Sequence, residues 1–259
     1  MNNVDLLNID TKKINLHFQR FEFKYLLPKA TADILIPKLL KHMDWDPYVK
    51  NIPEKEYQVS SLYYDSHGLG CYYEKLAGVR DRKKLRLRVY DWPVKSDTKV
   101  YVEIKRKHDA IVLKDRAVVP AKDCYDAVIR GNYNLLKKER QADELNFINE
   151  FLWTKDYNSM TPKIMVIYKR RPLISKMDKK FRVTFDFDLH TYPADWLEPK
   201  EDAIPVCPDY VVMEVKYNNL LPFWFYDIIK DYQLDRIAFS KYCMSIEACQ
   251  ENNLLINFN

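Results

Sequence analysis

The sequence predicts an α+β protein built on a large antiparallel sheet of about eight strands. Three observations predict it. Segments that alternate apolar and ionic residues recur along most of the chain, with turn residues between neighbours. A smaller number of segments carry helical spacing, clustered between the strand runs and near the end rather than alternating regularly with them. Across 259 residues there is no repeat, low-complexity run or Gly/Ser linker, which favours one domain over residues 20–250 behind an N-terminal lead-in over 1–19.

In chain order, "QRFEFKYLL" alternates and reads as a strand ended by Pro28. "KATADILIPKLLKHM" reads as a helix, with Thr31 as its N-cap and an apolar stripe of Ile34, Leu35, Leu39 and Leu40; Pro37 counts against it. "YQVSSLYYDS" is a strand rich in aromatic and β-branched residues, and "HGLGCYYEKLAG" a short helix. "KLRLRVYDW", "TKVYVEIKRK" and "IVLKDRAVVP" form an antiparallel meander. "AKDCYDAVIRG" is helical, with Gly131 in the left-handed cap position, and "KERQADELNFINEFLWTKD" is a second amphipathic helix. "TPKIMVIYKRRPL", "KFRVTFDFDLHTY" and "YVVMEVKYNN" are strands, and the stretch from Pro222 to Cys249 is helical with a break near Leu234.

Composition narrows the chemistry. Apolar residues make up 47% and charged residues 31%, which suits a globular chain. No run approaches the roughly 18 apolar residues of a membrane helix, and "MNNVDLLNID" lacks a basic, then apolar, secretion signal; a soluble cytoplasmic protein is expected. The 5 cysteines are scattered without a CxxC pair and the 5 histidines without HxxxH spacing, so zinc, disulfide and histidine-centred chemistry are not supported. The 4 glycines build neither a Walker A loop nor a dinucleotide fingerprint. Any phosphate must therefore be held by side chains.

The ionic residues are ordered. In "KLRLRVY" the cations Lys84, Arg86 and Arg88 fall on one strand face and Leu85, Leu87 and Val89 on the other. The same two-residue spacing joins Arg20, Glu22 and Lys24; Glu103, Lys105 and Lys107; Lys114 and Arg116; Tyr168 and Arg170; Arg182, Thr184, Asp186 and Asp188; and Glu214 and Lys216. One arrangement places this face in water, as antiparallel sheets commonly do. The other curls the sheet into a barrel whose interior the cations line, which is tolerable around a strongly charged anion. Phosphate suits the arginine fork, with lysines as point charges. Carboxylates among the cations either hold lysines or bind a divalent metal bridging phosphates, with Glu22, Glu103 and Glu214 the metal candidates. The aromatics mostly alternate with the cations, which places them on the opposite face and argues against nucleic acid stacking. "FWFYDIIKDY" reads as a buried helix in preference to a membrane or partner surface.

The segments "RFEFKYLL", "LYYDS", "KLRLRVY", "YVEIKRK", "LKDR", "IYKRR", "FRVTFD", "MEVKYNNLLPFW" and "FSKY" stand in the order found in the VTC (vacuolar transporter chaperone) domain. The chain resembles that domain, part of the CYTH-like superfamily of triphosphate tunnel metalloenzymes, from Arg20 to Tyr242. The resemblance implies a closed antiparallel β-barrel with helices packed outside and a lumen for triphosphate or polyphosphate. It implies a polyphosphate polymerase that uses ATP with Mn2+ or Mg2+, and a membrane-protein partner to export product. By motif it assigns phosphate to Arg86, Arg88, Lys105, Lys114, Tyr168, Arg170, Lys24 and Lys241, joined by Lys75, and the metal to Glu214. On this reading Arg86, Arg88, Lys105 and Arg170 are the catalytic stabilisers of developing charge. Lys107, Arg116, Arg182 and Lys216, on the same ionic faces, complete the expected phosphate-binding set. Arg20 stands where the hydrolase branch carries the first glutamate of an ExExK motif, which leans towards the polymerase branch.

Overall fold

Alternating segments become strands and helically spaced segments become helices in a computed structural model that describes residues 20–108, 111–218 and 220–255. In order, the elements are β1 (Arg20–Pro28), α1 (Lys29–Leu39), β2 (Met43–Trp45), β3 (Tyr57–Asp65), α2 (Gly70–Leu76), β4 (Asp81–Val89), β5 (Lys99–His108), β6 (Ile111–Pro120), α3 (Ala121–Val128), α4 (Asn134–Lys137), α5 (Ala142–Tyr157), β7 (Thr161–Ser175), β8 (Arg182–Pro193), β9 (Ile204–Pro205), β10 (Tyr210–Asn218), α6 (Phe223–Asp231) and α7 (Lys241–Glu251). The lead-in expected over residues 1–19 lies outside the described residues.

Eight strands form one antiparallel path in the order β1-β10-β8-β7-β3-β4-β5-β6, with β2 added to β7 and β9 to β8. The path curls, bringing the Cα atoms of its end strands β1 and β6 within 8 Å. No backbone pairing joins those two strands among the described residues. From β5, the strand next to β6, Lys105 Nζ reaches to within 3.5 Å of Glu22 Oε1 of β1.

Pairing sets residues opposite one another across the strands. Lys24 faces Glu214 and Glu22 faces Lys216 between β1 and β10. Arg86 faces Glu103 between β4 and β5, and Arg170 faces Asp186 between β7 and β8. The apolar sides turn outwards into two cores. Leu85, Leu87 and Val89 of β4, with Val102 and Ile104 of β5, pack with Phe151 of α5 and Ile246 of α7. Val183 and Phe185 of β8 and Met213 and Val215 of β10 pack with Leu35 and Leu39 of α1 and Phe225 of α6. Each such fully buried side chain contributes about 1.5–3 kcal/mol, so the outward cores stabilise a sheet whose other face is ionic.

Local chemistry corrects four expectations. α1 begins at Lys29 behind Pro28, two residues before Thr31, and has no side-chain cap. Its buried stripe is Ala32, Leu35, Ile36 and Leu39, leaving Ile34 51% exposed. Asp188 adopts φ of 49°, which breaks the alternation of β8; it turns away from Asp186 and pairs with Lys29 and Lys169. The expected buried helix at "FWFYDIIKDY" is only half so: Phe225 is enclosed, while Phe223 is 89% exposed. The elements β2, α4 and β9 were too short to leave a periodic signal. Gly131 takes the expected left-handed φ, 75°, just past α3. α7 starts after a Ser240 cap whose Oγ accepts from the Cys243 amide at 3.4 Å.

A cation-lined cavity inside the sheet

The ionic face encloses a cavity of about 550 Å³. Among the described residues that line it, twelve are lysine or arginine (Lys24, Lys75, Arg82, Lys84, Arg86, Arg88, Lys105, Lys107, Arg170, Lys216, Arg236 and Lys241) and two are carboxylates, Glu22 and Glu214. Tyr63, Tyr168 and Tyr242 complete much of the wall. "KLRLRVY" thus turns Lys84, Arg86 and Arg88 inwards, with both arginines only 7% exposed.

Three carboxylate knots hold part of this charge. In the first, Arg170 donates from Nε and Nη2 to the two oxygens of Asp186 at 2.6 and 2.7 Å. Lys241 Nζ lies 2.5 Å from Asp186 Oδ2 and 2.9 Å from Glu214 Oε1, and Arg170 and Lys216 each lie 3.3 Å from Glu214. In the second, Arg86 donates to Glu103 at 2.6 Å and to the Tyr63 hydroxyl at 2.8 Å, and Lys114 donates to Glu103 at 3.1 Å. In the third, Glu22 meets Lys24 at 2.9 Å, Lys105 at 3.5 Å and Lys216 at 3.9 Å. Tyr168 supports the first knot, with Lys241 and Arg170 over its ring at 4.9 and 5.3 Å.

The remaining cations have no carboxylate within 4 Å among the described residues. Arg88 Nε donates to the Ser61 hydroxyl at 3.0 Å and has no acidic partner. Lys84 rests over the Tyr242 ring at 4.3 Å, Arg236 over Phe23 at 4.4 Å, and Arg82 donates to the Val79 and Glu74 carbonyls. Of these, Arg88 is buried, Lys75, Arg82 and Lys84 are half-buried, and Lys107 and Arg236 are exposed; cations this crowded in a cleft make its potential positive and draw anions to it.

Its titrations show the same crowding. Burial lowers Lys105 to about 8, and the neighbouring Lys24 charge adds to the effect. Burial pushes Tyr63 upwards, but Arg86 and Arg88 outweigh it and bring the phenol down to about 8. Burial likewise opposes ionisation of Glu103, yet Arg86 and Arg88 hold it down at about 2. Glu214 is held far below the usual carboxylate range, because Lys241, Lys216 and Arg170 outweigh its burial. A polyanion needs the protonated lysine. A polyanion probe that is itself fully ionised over this range is expected to bind about equally between pH 6.5 and 7.5. Above about pH 8 its affinity should fall, by up to about tenfold per unit, with proton uptake on binding. Calorimetry in buffers of different ionisation enthalpy measures both; an unchanged affinity from pH 7 to 9 contradicts the assignment.

Of the residues expected from sequence, Arg86, Arg88, Lys105, Arg170, Lys24, Lys75, Lys107, Tyr168, Lys216, Lys241, Glu22 and Glu214 line the cavity. Four do not. Glu103 is fully enclosed behind the wall and does not border the cavity; Arg86 and Lys114 take its two oxygens, which occupies Lys114. Arg116 stacks over Tyr101 at 5.1 Å, and Arg182 lies 3.7 Å from Asp46 outside the cavity. Alternation had also marked Lys84, on the face of Arg86. Tyr63 shares a face with no run of cations, and Arg236 sits in an irregular segment, so neither had a signal. Of the aromatics that alternate with cations, Phe21 and Phe23 pack against the outer core as expected and also reach the cavity's edge, while Tyr63 and Tyr242, which do not alternate with cations, line it as well.

A hard divalent ion is commonly held by one or two carboxylates plus substrate phosphates. Glu214 and Glu22, both facing the cavity, fit that role. No cluster of three or more His, Cys, Asp and Glu side chains suited to a metal occurs among the described residues, so phosphate oxygens would have to complete the shell.

The VTC domain profile matches residues 19–250. The chain is 24% identical over 271 aligned positions to vacuolar transporter chaperone complex subunit 4 of Trypanosoma brucei brucei, and 22% identical over 277 to the subunit of the same name in Trypanosoma cruzi. Each alignment takes in 88% of this chain and 34% of the relative, so the chain spans about a third of the length of these curated relatives. A proposed adenylate cyclase from Bacillus halodurans shares the fold, with a TM-score of 0.51 at 12% identity over 85% of this chain and 93% of that one. Among the described residues, no helix is long and apolar enough to cross a membrane.

Proposed function

We propose, proceeding from the fact that this chain belongs to the VTC domain family, that it is a phosphotransferase which moves the γ-phosphate of ATP onto a growing inorganic polyphosphate chain within the cation-lined cavity. The observation that carries this reading is the charge imbalance of the wall, twelve cations against two carboxylates, with Arg88 buried and lacking an acidic partner. A chain of linked phosphates supplies closely spaced negative charge along its whole length, which matches a wall that stays cationic along β4 and β5.

Phosphoryl transfer asks little covalent work of a protein; positioning and charge stabilisation carry it. Arg86 and Arg170 are fixed in place by Glu103 and Asp186, so their remaining N–H groups need not reorganise when charge develops. Arg88 and Lys105 bring cations without a tight acidic partner. The acceptor is an already ionised phosphate end, so no strong general base is required, which agrees with the absence of histidine from the cavity lining among the described residues. Mg2+ or Mn2+, held by Glu214 with Glu22, would neutralise phosphate charge and polarise the transferring group. We place the protein in the cytoplasm, where ATP is available, with polyphosphate and not nucleic acid as its polymer and a membrane-protein partner receiving product.

Purified protein incubated with ATP and Mg2+ or Mn2+ is expected to yield a ladder of long chains on a polyphosphate gel. Orthophosphate without chains would instead assign the cavity to triphosphate hydrolysis, and binding without turnover to a polyphosphate-binding module.

A further inference from the structure

A second cavity, about 390 Å³, lies beside the first: Arg82 and Lys107 line both. Its far wall belongs to α5. There Trp153 and Tyr157, four residues apart on one helix face, stack with ring centroids 4.8 Å apart and planes 14° from parallel. Both rings are open to solvent, at 58% and 73% exposure. Aromatics on a packed helix ordinarily turn inwards, as Phe151 does. Between them, Thr154 lines the same cavity with a buried hydroxyl that has no hydrogen-bond partner. Arg106 adds a further cation, held by Glu150 and Asp115.

We infer that this cavity is the nucleoside subsite of the reaction, with the base of a nucleoside triphosphate extending the Trp153–Tyr157 stack while its phosphates pass Arg82 and Lys107 into the main cavity. The inference rests on the function proposed above. The occupant follows from the chemistry of the two halves. A bare phosphate chain has no use for an apolar ring platform, and an uncharged aromatic ligand has no use for the cations at its edge; a molecule joining an aromatic base to a run of phosphates uses both. Stacking accepts any base, so the site favours nucleotides over free polyphosphate without choosing strongly among bases.

The test compares ATP with tripolyphosphate, which carries the phosphates without the base, by calorimetry on the full chain. Trp153→Ala is expected to weaken ATP at least about fivefold, the lower end of what loss of one base stack costs, and to leave tripolyphosphate within about twofold. Trp153→Phe should restore most of the ATP affinity. Because Trp153 is largely exposed, the fold should survive, and unchanged tripolyphosphate binding reports that directly. Equal weakening of both ligands, or no weakening of either, overturns the subsite while the main cavity's role stands. Failure of the unaltered protein to bind tripolyphosphate overturns the proposed function, and the subsite falls with it.

Discussion

Arg88→Ala is expected to cut phosphoryl transfer by about 10²–10³-fold, the loss seen when one preorganised stabiliser is removed, while changing the stability of the free protein little. The two halves share a cause. Arg88 is buried against Arg86 and Ser61 with no carboxylate within 4 Å among the described residues, Glu103 acting on it only from further off. Tyr168 and Glu103, acting from beyond contact distance, outweigh its desolvation and its repulsion from Arg86, so the guanidinium stays charged and without an ion pair in the free protein. Truncation breaks no direct ion pair in the free protein and withdraws a charge from the reacting phosphates. Single-turnover synthesis of polyphosphate and thermal denaturation measure the two effects. A loss below about threefold would remove Arg88 from the chemistry. A marked fall in Tm would mean that the guanidinium serves the fold. Arg86 makes a poorer probe, because its removal also leaves the fully enclosed Glu103 with only Lys114 in direct contact among the described residues.

Asp186→Ala should act in the opposite direction. Asp186 is 2% exposed and receives both arms of Arg170 and the Lys241 ammonium. Without it two buried cations share only Glu214, already engaged by Lys216. Breaking a buried ionic group from one side costs about 3–5 kcal/mol, or a Tm lower by roughly 10 °C for a chain of this size. Part of the loss should return when a polyanion replaces the missing charge. Tripolyphosphate at about 100 times its Kd adds about 2.7 kcal/mol to the folded protein that binds it; at one common concentration it should raise the variant's Tm more than that of the unaltered protein, because the variant should bind it more tightly. A loss under about 1 kcal/mol, or an equal rise in both proteins, contradicts the view that Asp186 stands in for phosphate charge.

Much of the cavity was legible along single strands. The spacing in "KLRLRVY" put Arg86 and Arg88 on one face because the strand period is two, and an apolar set of Leu85, Leu87 and Val89 left that face no other place than the ionic side. The same reading failed at Asp188, where a left-handed φ breaks the period. It also failed at Arg182 and Arg116, which keep the face of their strands but lie beyond the stretch that borders the cavity. Glu103 was legible as a carboxylate among cations; that both its oxygens are taken depends on Arg86 and Lys114 arriving from the strands on either side.

What the sequence by itself determined is the strand and helix order, the ionic face with its phosphate-matching residues, and the nine ordered segments that mark the family. These are local or sequential properties, set by side-chain period and composition. What only the tertiary structure decided is the curling that turns a face into an enclosed wall, the pairing of each cation with a carboxylate or with none, and the arrival of Tyr63, Arg236 and Tyr242 at that wall. Those depend on register and on which segments distant in the chain pack together, and a charge's role depends on the charges within a few ångströms of it rather than on its neighbours in sequence.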